Sequence, residues 1–429
     1  MKNKKILLIL SQFHPSVTPN IFRWQRICEE FVEQGYSITV LTTKSTNTPD
    51  DYFSNDFRII RTGHNTLMDL WQYYTSTKNK RSEYGSVNKK PSWIRSCLEF
   101  IISQTWRKIY WPDGTALWYF PAKSKIKKLF KEDNFDVVIS VGLPFTAHLL
   151  GKFCKLSSKH FTWIMDIEDP FCYSDEFWVN NFSLYKKLNI RKEKECFQFA
   201  DHISVTNQSA LDKYMEYFSF AKSKIEVIPP LLNENHNEGD CKLNLDPNEF
   251  NLGYFGSFYH NVREPQRLVN FLIKVKNADP LFFSKLKIYI AGQLSPKHAN
   301  YFYNIVPEIK EKIVLIGFIN QHDIHYLIKR MHSLINIGNT TSYHLPSKIV
   351  DYLASERPII NLITTPKDSV KQMIGDKYFI HISEQTSDEE IKKAINYIQT
   401  NIKNEFFHDI NLNEYNAKSI TKKYMQMMG

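Results

Sequence analysis

Short apolar runs rich in β-branched residues alternate with amphipathic stretches along the first half of the chain. Between residues 21 and 31 apolar side chains recur at helical spacing, and Gly35 follows as a natural C-terminal stop. The apolar runs predict strands, in chain order, at residues 5–10, 37–43, 57–61, 135–141, 161–166, 202–206 and 225–229. Repeated strand, helix and strand units predict a parallel sheet with helices on both of its faces.

A second series of the same kind follows Pro229, Pro230 and the polar residues 233–240, which indicate a linker. Its strands are predicted at residues 252–256, 286–291, 313–317, 333–337, 358–363 and 378–382. The sequence thus predicts an α/β protein of two tandem doubly wound domains, at residues 1–229 and 230–410, with a basic amphipathic helix at 411–429. Ligands of such sheets bind outside the carboxyl ends of the strands, so we expect the site in a cleft between the domains.

The alternation breaks down between residues 62 and 119, which we interpret as an insertion in the first domain. The net charge is +10, and residues 1–225 hold 32 Lys and Arg against 23 Asp and Glu. Much of this excess lies in the insertion and the helix after it, where interleaved Trp and Tyr side chains suit an anionic membrane surface. A solvated basic face is the alternative. We do not expect nucleic-acid binding, because no nucleic-acid-binding motif occurs.

Composition excludes several classes of protein. The 429 residues are 42% apolar and 23% charged, which is ordinary for globular chains and not for disordered or fibrous ones. Only 14 glycines occur, without a G-x-G-x-x-G string, so no glycine-rich phosphate loop is expected. The six cysteines form no C-x-x-C pair, which indicates a reducing compartment and no zinc site. No apolar stretch is long enough for a membrane span or a signal peptide, so we expect a cytoplasmic protein. No constellation of metal ligands is visible in the sequence, and we expect neither a metal nor a cofactor.

The segment LPSKIVDYLASERPIINLI, at residues 345–363, carries the clearest chemistry. Pro346 suits the first turn of a helix, and Ser347 and Lys348 then bring a hydroxyl and an ammonium group to the positive end of that helix. Asp351 falls about one turn later on the same side, where its carboxylate can accept both hydroxyls of a ribose. A phosphate site and a ribose site at this spacing predict a nucleotide diphosphate ligand.

Together with other motifs, this segment resembles bacterial glycosyltransferases of the GT-B fold, in particular family 4 members that build surface polysaccharides such as capsule and lipopolysaccharide. The other motifs, in order, are Pro19 with Arg23, the WPD-x(4)-W string at 111–118, and the segments 140–151, 166–171, 227–230 and 252–259. The resemblance implies transfer of a sugar from a nucleotide diphosphate donor to a lipid-linked or oligosaccharide acceptor. It also implies a peripheral position at the inner face of a bacterial cell membrane and a retaining, metal-independent reaction.

The resemblance assigns roles to individual positions in the second domain. Gly256 and Ser257 end the first strand, where the backbone approaches the diphosphate, and Arg263 stands where relatives carry a basic phosphate ligand. Gly317 and Phe318 end the third strand, where relatives hold the nucleotide base. Lys348 and Arg263 would stabilise the departing diphosphate. In the first domain the residues expected on the acceptor side are Pro19, Arg23 and Asp166.

Two departures from the family pattern stand out. Many relatives carry Glu-x7-Glu, and here Asp351 fits the second glutamate whereas Tyr343 stands at the first. The resemblance therefore leaves the donor sugar and the stereochemical outcome open. The frequent histidine after the fourth strand of the first domain is also absent, because Val141 and Gly142 stand there.

Two further residues are candidates for catalysis in the first domain. His148 lies in the helix that follows the fourth strand, and a lone helical histidine is more often a packing residue than a catalytic one. Asp169 ends a run of three carboxylates with Asp166 and Glu168. It is placed to act as a general base or hydrogen-bond acceptor for an acceptor hydroxyl, or equally to cap a turn.

Two other functions fit the same sequence pattern. A sugar-nucleotide epimerase of similar two-domain shape would work in solution, and the basic aromatic insertion argues against it. A non-catalytic scaffold that keeps the fold and binds a membrane assembly is suggested by the missing glutamate and histidine. Nucleotide binding distinguishes the scaffold, and an assay for epimerisation without an acceptor distinguishes the epimerase.

Overall fold

The computed structural model describes residues 4–15, 18–44, 48–54, 57–64, 109–158, 160–174, 179–233, 243–319, 321–375, 379–400 and 411–429. The chain divides into two compact units. The N-terminal unit comprises Met1–Thr206, Leu211–Ile228 and Ile420–Gly429, and the C-terminal unit comprises Asn207–Ala210 and Pro229–Ser419. Most of the basic aromatic insertion expected at 62–119 lies outside the described residues.

The N-terminal unit contains an eight-stranded sheet in the order β3-β4-β2-β1-β5-β6-β7-β8. Its strands are β1 Lys5–Ile9, β2 Ser37–Thr42, β3 Asp51–Ser54, β4 Phe57–Arg61, β5 Val137–Gly142, β6 Thr162–Ile167, β7 His202–Val205 and β8 Ile225–Val227. All neighbours are parallel except β3 and β4. Every residue of β5 is buried, as expected for a strand covered on both faces. The sequence pattern predicted seven of these strands and missed β3, a short edge strand bracketed by polar residues.

The helices described among the first 228 residues pack around this sheet. They are α1 Pro19–Glu33, α2 Tyr119–Glu132, α3 Thr146–Ser157, α4 Phe182–Phe199 and α5 Gln208–Phe218. Helix α1 begins at Pro19 because the Thr18 side chain accepts a hydrogen bond from the Ile21 N–H at 3.3 Å. Its predicted apolar face is buried, and Gly35, with φ of +83°, follows its end.

The C-terminal unit contains a six-stranded, fully parallel sheet in the order β11-β10-β9-β12-β13-β14. Its strands are β9 Phe250–Phe255, β10 Leu286–Ala291, β11 Ile313–Gly317, β12 Ser333–Ile337, β13 Ile359–Leu362 and β14 Phe379–Ile382. Alternate residues of β10 enter two different cores: Ile288 packs on one face of the sheet and Tyr289 on the other. The sheet is therefore doubly wound, as the sequence predicted.

Helices connect these strands and close the described chain. They are α6 Gln266–Ala278, α7 Pro280–Ser284, α8 Pro296–Asn304, α9 Pro307–Lys310, α10 Gln321–Arg330, α11 Lys348–Leu353, α12 Ser369–Ile374, α13 Asp388–Thr400 and α14 Ala417–Met427. Helix α14 follows the last strand, as predicted, and its Tyr424 is fully buried. Among the described residues, no helix combines the length and the apolar character needed to cross a membrane.

Candidate active site

Four neighbouring strands of the C-terminal sheet end in, or are followed directly by, a glycine at their carboxyl ends. These glycines are Gly256, Gly292, Gly317 and Gly338. A Cβ atom on Gly292 would lie 2.2 Å from the carbonyl oxygen of Gly256, so the two backbones meet more closely than any side chain allows. The edge is therefore largely bare backbone, which a ligand can approach closely. Gly256 and Gly317 were predicted here, whereas the other two glycines were missed although each directly follows a predicted strand.

Arg263 lies beside Gly256, and its predicted role as a phosphate ligand stays a prediction. Its Nη1 atom is 3.7 Å from the point that a Cβ atom on Gly256 would occupy. Its Nε and Nη2 groups donate to the Oδ1 atom of Asn339 at 3.1 and 2.8 Å. The Tyr254 hydroxyl donates to the Ser257 carbonyl at 3.0 Å. Burial raises the pKa of Tyr254, and the nearby Arg263 charge opposes that rise.

Helix α11 is tied to the same strand end. The hydroxyl of Tyr352 accepts a hydrogen bond from the N–H of Phe255, the last residue of β9, at 2.8 Å. Lys348 lies four residues before Tyr352, so the two side chains share one face of the helix. The structure thereby places the helix that carries Lys348 and Asp351 at the end of β9, the strand that Gly256 and Ser257 follow.

Lys348 and Asp351 form an ion pair, with 2.9 Å between Nζ and Oδ2. The Asp351 side chain is 6% exposed, and its Oδ1 atom accepts the Asn233 N–H at 3.3 Å. Each carboxylate oxygen therefore already has one partner within the protein. Because each carboxylate oxygen can accept two hydrogen bonds, one acceptor position on each Asp351 oxygen is left for the predicted contact with a ribose.

The start of α11 differs from the sequence prediction. The helix begins at Lys348, so Pro346 precedes it and does not form its first turn, although the Pro346 carbonyl accepts the Ile349 N–H at 3.0 Å. Ser347 occupies the N-cap position, and its side chain makes no capping hydrogen bond. A helix of six residues has too few aligned peptides for a strong macrodipole. The expected anion site at a helix terminus is therefore not supported, and Arg263 and Lys348 are the groups that would hold a phosphate.

Gly317 and Phe318 lie at the end of β11, the edge strand of the sheet. Gly317 has a φ of +85°, which favours glycine, and its carbonyl accepts the Gly292 N–H at 3.0 Å. Phe318 is 81% exposed. An exposed aromatic ring offers a face on which a planar base can stack. The role of Gly317 and Phe318 in base binding stays a prediction.

Asp166, expected on the acceptor side, lies in the core of the N-terminal unit. Its carboxylate accepts hydrogen bonds from Trp24 of α1 at 3.3 Å, from Ser204 of β7, and from Tyr424 of α14 at 2.7 Å. It is 3% exposed. The carboxylate therefore joins three elements of the fold, and a direct contact between Asp166 and an acceptor is not supported.

The other acceptor-side residues lie close to the same network. Pro19 is the first residue of α1, a position that proline favours for structural reasons. Arg23 is buried, donates to the Tyr424 hydroxyl at 3.2 Å, and has its Nε atom 3.8 Å from a Glu168 oxygen. Burial and the Asp166 charge raise the pKa of Glu168 well above its usual range. Asp169 is the exposed member of the carboxylate run, and its role toward an acceptor hydroxyl stays a prediction.

His148 is 2% exposed, and its Nδ1 atom lies 2.9 Å from the Ser140 hydroxyl. Burial lowers the pKa of His148 to about 3, so the imidazole is neutral at physiological pH and a weak base. The catalytic role considered for His148 is therefore not supported. The ring nevertheless packs against Gly142, because a Cβ atom on that glycine would lie 2.2 Å from Nε2. In the part of the chain that the structure describes, no three His, Cys, Asp or Glu side chains form a group suited to a metal.

Two sheets, one in each unit and parallel apart from the β3–β4 pair, with helices packed around them, are typical of the GT-B class of fold. Known structures agree. The chain is similar to a sucrose-phosphate synthase from Thermosynechococcus elongatus, with 13% identity, a TM-score of 0.61, and coverage of 99% of this chain and 98% of the other. It is also similar to a mutant of TarM from S. aureus in complex with Fondaparinux, alpha-GlcNAc-glycerol and UDP, with 11% identity, a TM-score of 0.61 and coverage of 99% and 100%.

A putative UDP-N-acetylglucosamine 2-epimerase from Listeria monocytogenes is a third similar structure. Its identity is 12%, its TM-score 0.50, and the coverage 100% of this chain and 96% of the other. At these identities the three likenesses establish the fold alone.

One part of the sequence matches a known family model. Residues 88–235 match the model of Glycosyltransferase Family 4, while the sequence matches none of the curated proteins. The resemblance to family 4 enzymes of the GT-B fold, predicted from the motifs, is thus confirmed.

Proposed function

We propose that the protein is a glycosyltransferase that moves a sugar from a nucleotide diphosphate donor to a lipid-linked or oligosaccharide acceptor. The observation that carries this proposal is the arrangement at the carboxyl end of β9. There the bare backbone of Gly256 lies beside Arg263, and the Tyr352 hydrogen bond holds the Lys348 helix at the same strand end. Two cations beside exposed backbone suit the diphosphate of a sugar nucleotide.

The reaction breaks the bond between the anomeric carbon and a diphosphate oxygen, and forms a bond between that carbon and an acceptor oxygen. Negative charge grows on the departing diphosphate. Arg263, which Asn339 holds in position, and Lys348, on the helix tied to the same strand end, stabilise that charge. The acceptor hydroxyl gives up its proton to the exposed carboxylate of Asp169 or to the departing diphosphate.

The proposed transfer needs no metal ion, because Arg263 and Lys348 supply the positive charge that a metal would otherwise bring. Retention of the anomeric configuration is also proposed, on the resemblance to the family. Tyr343 replaces the family glutamate, and its carbonyl accepts a hydrogen bond from the Asn207 side chain at 2.9 Å. Groups other than a glutamate at this position must therefore hold the donor sugar. Proton NMR of the first product would show whether the anomeric configuration is retained.

Calorimetry with UDP, GDP, ADP and CDP tests the donor site directly. We expect one of the four to bind, and UDP is the first to try because the TarM structure contains it. A transfer assay with the matching sugar nucleotides and short oligosaccharide or lipid-linked acceptors should then yield a glycosylated product. If none of the four diphosphates binds, the transferase proposal fails and the scaffold hypothesis gains support.

An epimerase is the second candidate function, because the Listeria structure has the same fold. We expect the protein to leave UDP-N-acetylglucosamine unchanged at C2 when no acceptor is present. NMR of the sugar nucleotide after prolonged incubation checks this. Conversion to the 2-epimer, without transfer to any acceptor, would replace the transferase proposal by the epimerase.

Membrane association is part of the proposed function, and helix α2 offers the surface for it. Its buried face consists of Ala122, Ile126 and Leu129. Its exposed face carries Phe120, which is 70% exposed, followed at helical spacing by Lys127, Lys128 and Lys131. An aromatic side chain followed by a lysine row suits a bilayer that contains anionic lipids.

We expect the double variant Lys127→Gln with Lys128→Gln to bind phosphatidylglycerol vesicles about 30-fold more weakly at low salt. Each lysine near an anionic surface contributes about 1 kcal/mol, and about 1.4 kcal/mol is a tenfold change. Vesicle sedimentation measures the partitioning. The matched control is Lys392→Gln with Lys393→Gln on α13, which removes the same charge and should bind as the wild type does. Equal loss in both variants would show a general charge effect and contradict a docking role for α2.

A further inference from the structure

The loop after β12 meets the loop after β9 at the proposed diphosphate site. Two donors of Arg263 converge on one oxygen of Asn339, at 3.1 Å from Nε and 2.8 Å from Nη2. A guanidinium held through two of its nitrogens has a fixed plane. Its third nitrogen, Nη1, is the one that lies near Gly256. The two bonds to Asn339, together with a hydrogen bond between Arg263 and the Tyr254 hydroxyl, thus select which edge of the guanidinium faces the bare backbone.

Asn339 is itself held rigidly. Its Nδ2 group donates to the His344 carbonyl at 2.9 Å, and its own carbonyl accepts the Thr364 hydroxyl. It is 4% exposed and follows Gly338, where a Cβ atom would lie 2.3 Å from a carboxylate oxygen of Asp368. The side chain that holds Arg263 therefore has little freedom to move.

The amide chemistry of Asn339 suits this position. An amide accepts through its oxygen and donates through its nitrogen, so it can hold Arg263 and bond the His344 carbonyl at the same time. An aspartate would set a carboxylate oxygen against that carbonyl and would also cancel the arginine charge. A neutral acceptor leaves the full positive charge of Arg263 for a ligand.

We propose that Asn339 is the positioning residue that presents Arg263 to the diphosphate of a sugar nucleotide. This inference rests on the proposed function, because it names a further residue of the same site. It predicts that Asn339 matters for the diphosphate and not for the nucleoside. It also predicts that Asn339 acts only through Arg263.

The test compares the dissociation constants of UDP with uridine, and of GDP with guanosine, by calorimetry or by NMR titration. Asn339→Ala should weaken diphosphate binding about tenfold and leave nucleoside binding unchanged. Arg263→Ala should weaken it at least as much, and the double variant should bind no more weakly than Arg263→Ala alone. If the losses of affinity from Asn339→Ala and Arg263→Ala multiply in the double variant, the proposal is overturned. A change of less than twofold in the dissociation constant of Asn339→Ala would also overturn it.

Thr340→Ala is the matched control. Thr340 joins the same two loops through its N–H to the Val262 carbonyl and its hydroxyl to the Asn261 carbonyl, each at 3.0 Å, and makes no hydrogen bond with Arg263. It should bind the diphosphate within twofold of the wild type. A loss equal to that of Asn339→Ala would mean that the loops need only be joined, which overturns a specific role for Asn339.

Arg263→Lys keeps the proposal testable if Asn339→Ala does not fold. A lysine ammonium cannot hold Asn339 through two nitrogens while a third faces the ligand. We therefore expect Arg263→Lys to lose as much diphosphate affinity as Arg263→Ala, and wild-type affinity would overturn the proposal. If the wild type binds no diphosphate, the proposed function itself falls and takes this inference with it. Wild-type binding with unchanged variants removes the inference alone.

Discussion

Replacing Lys348 by alanine should raise the dissociation constant of the nucleotide diphosphate more than tenfold. A charge-assisted hydrogen bond to a phosphate contributes about 1.5 to 3 kcal/mol, and about 1.4 kcal/mol corresponds to a factor of ten. The Lys348 side chain is 26% exposed and shares a helix face with Tyr352, which is bonded to the end of β9. Calorimetric titration of the purified variant measures the change. An unchanged dissociation constant would remove Lys348 from the site.

The same substitution also leaves the buried Asp351 carboxylate without its ammonium partner, which itself destabilises the fold. The double variant Lys348→Ala with Asp351→Asn separates the two effects. It should recover thermal stability, and its affinity for inorganic pyrophosphate, which lacks the ribose that Asp351 is predicted to contact, should stay low. Lys367→Ala, which changes an exposed lysine before α12, is the matched control and should affect neither quantity.

Replacing Glu193 by glutamine should make the protein more stable at pH 7 to 8. Glu193 is 1% exposed on α4, and burial raises its pKa to about 7. The folded state therefore keeps a proton that the unfolded state releases near pH 4.5. The wild type loses stability as the pH rises from 4.5 to 7, by about 3 kcal/mol for a shift of this size. Glutamine cannot ionise, so the variant escapes that loss.

The hydrogen bonds of Glu193 allow this exchange. Its carboxylate accepts the Cys172 N–H and the Tyr214 hydroxyl, each at 2.8 Å, and is also bonded by the Cys172 thiol and the Phe171 N–H. A glutamine oxygen can accept the N–H while its amide donates to the phenol oxygen, because a hydroxyl can reverse its role. Urea denaturation from pH 4.5 to 8 measures the difference, which should be near zero at the acid end and grow with pH. A constant difference across the range would contradict the ionisation account.

Glu195→Gln is the control for Glu193, on the same helix. Burial alone would raise the pKa of Glu195, but hydrogen bonds from Lys152, Lys192 and Arg191 lower it to about 2. A lowered carboxyl pKa stabilises the fold above pH 4.5 and loses that contribution as the pH falls toward 2. Glu195→Gln should therefore give no gain at pH 7, and a loss is expected because the variant removes the anion that Lys152, Lys192 and Arg191 share.

The fold could be predicted from the sequence because each strand leaves a local trace. Central strands such as β5 are buried on both faces and appear as continuous apolar runs. Strand β3 could not be found this way, since its four residues pair with β4 at the edge of the sheet. Apolar periodicity therefore found the layers of the fold and missed an edge strand whose side chains Asp51 and Tyr52 bond to arginines of β4.

The candidate site was predicted only in part, and for a physical reason. Gly256, Arg263 and Lys348 could be placed because each lies close in sequence to a strand end or a recognisable segment. Asn339 could not, because its contact with Arg263 spans 76 positions and no local pattern encodes it. Asp166 was misplaced on the acceptor side, since a carboxylate at a strand end gives no sign that a tryptophan, a serine and a distant tyrosine will bury it.

The last helix has a consequence for the order in which the molecule can be completed during synthesis. Residues 420–429 belong to the N-terminal unit, and Tyr424 supplies hydroxyl contacts to Arg23 and Asp166 inside it. The ribosome must therefore translate the entire C-terminal unit before the earlier unit can receive its final partner. Until then Arg23 and Asp166 each lack their hydrogen bond to Tyr424. The nascent N-terminal unit therefore cannot complete this buried network until residues about two hundred positions later have been translated.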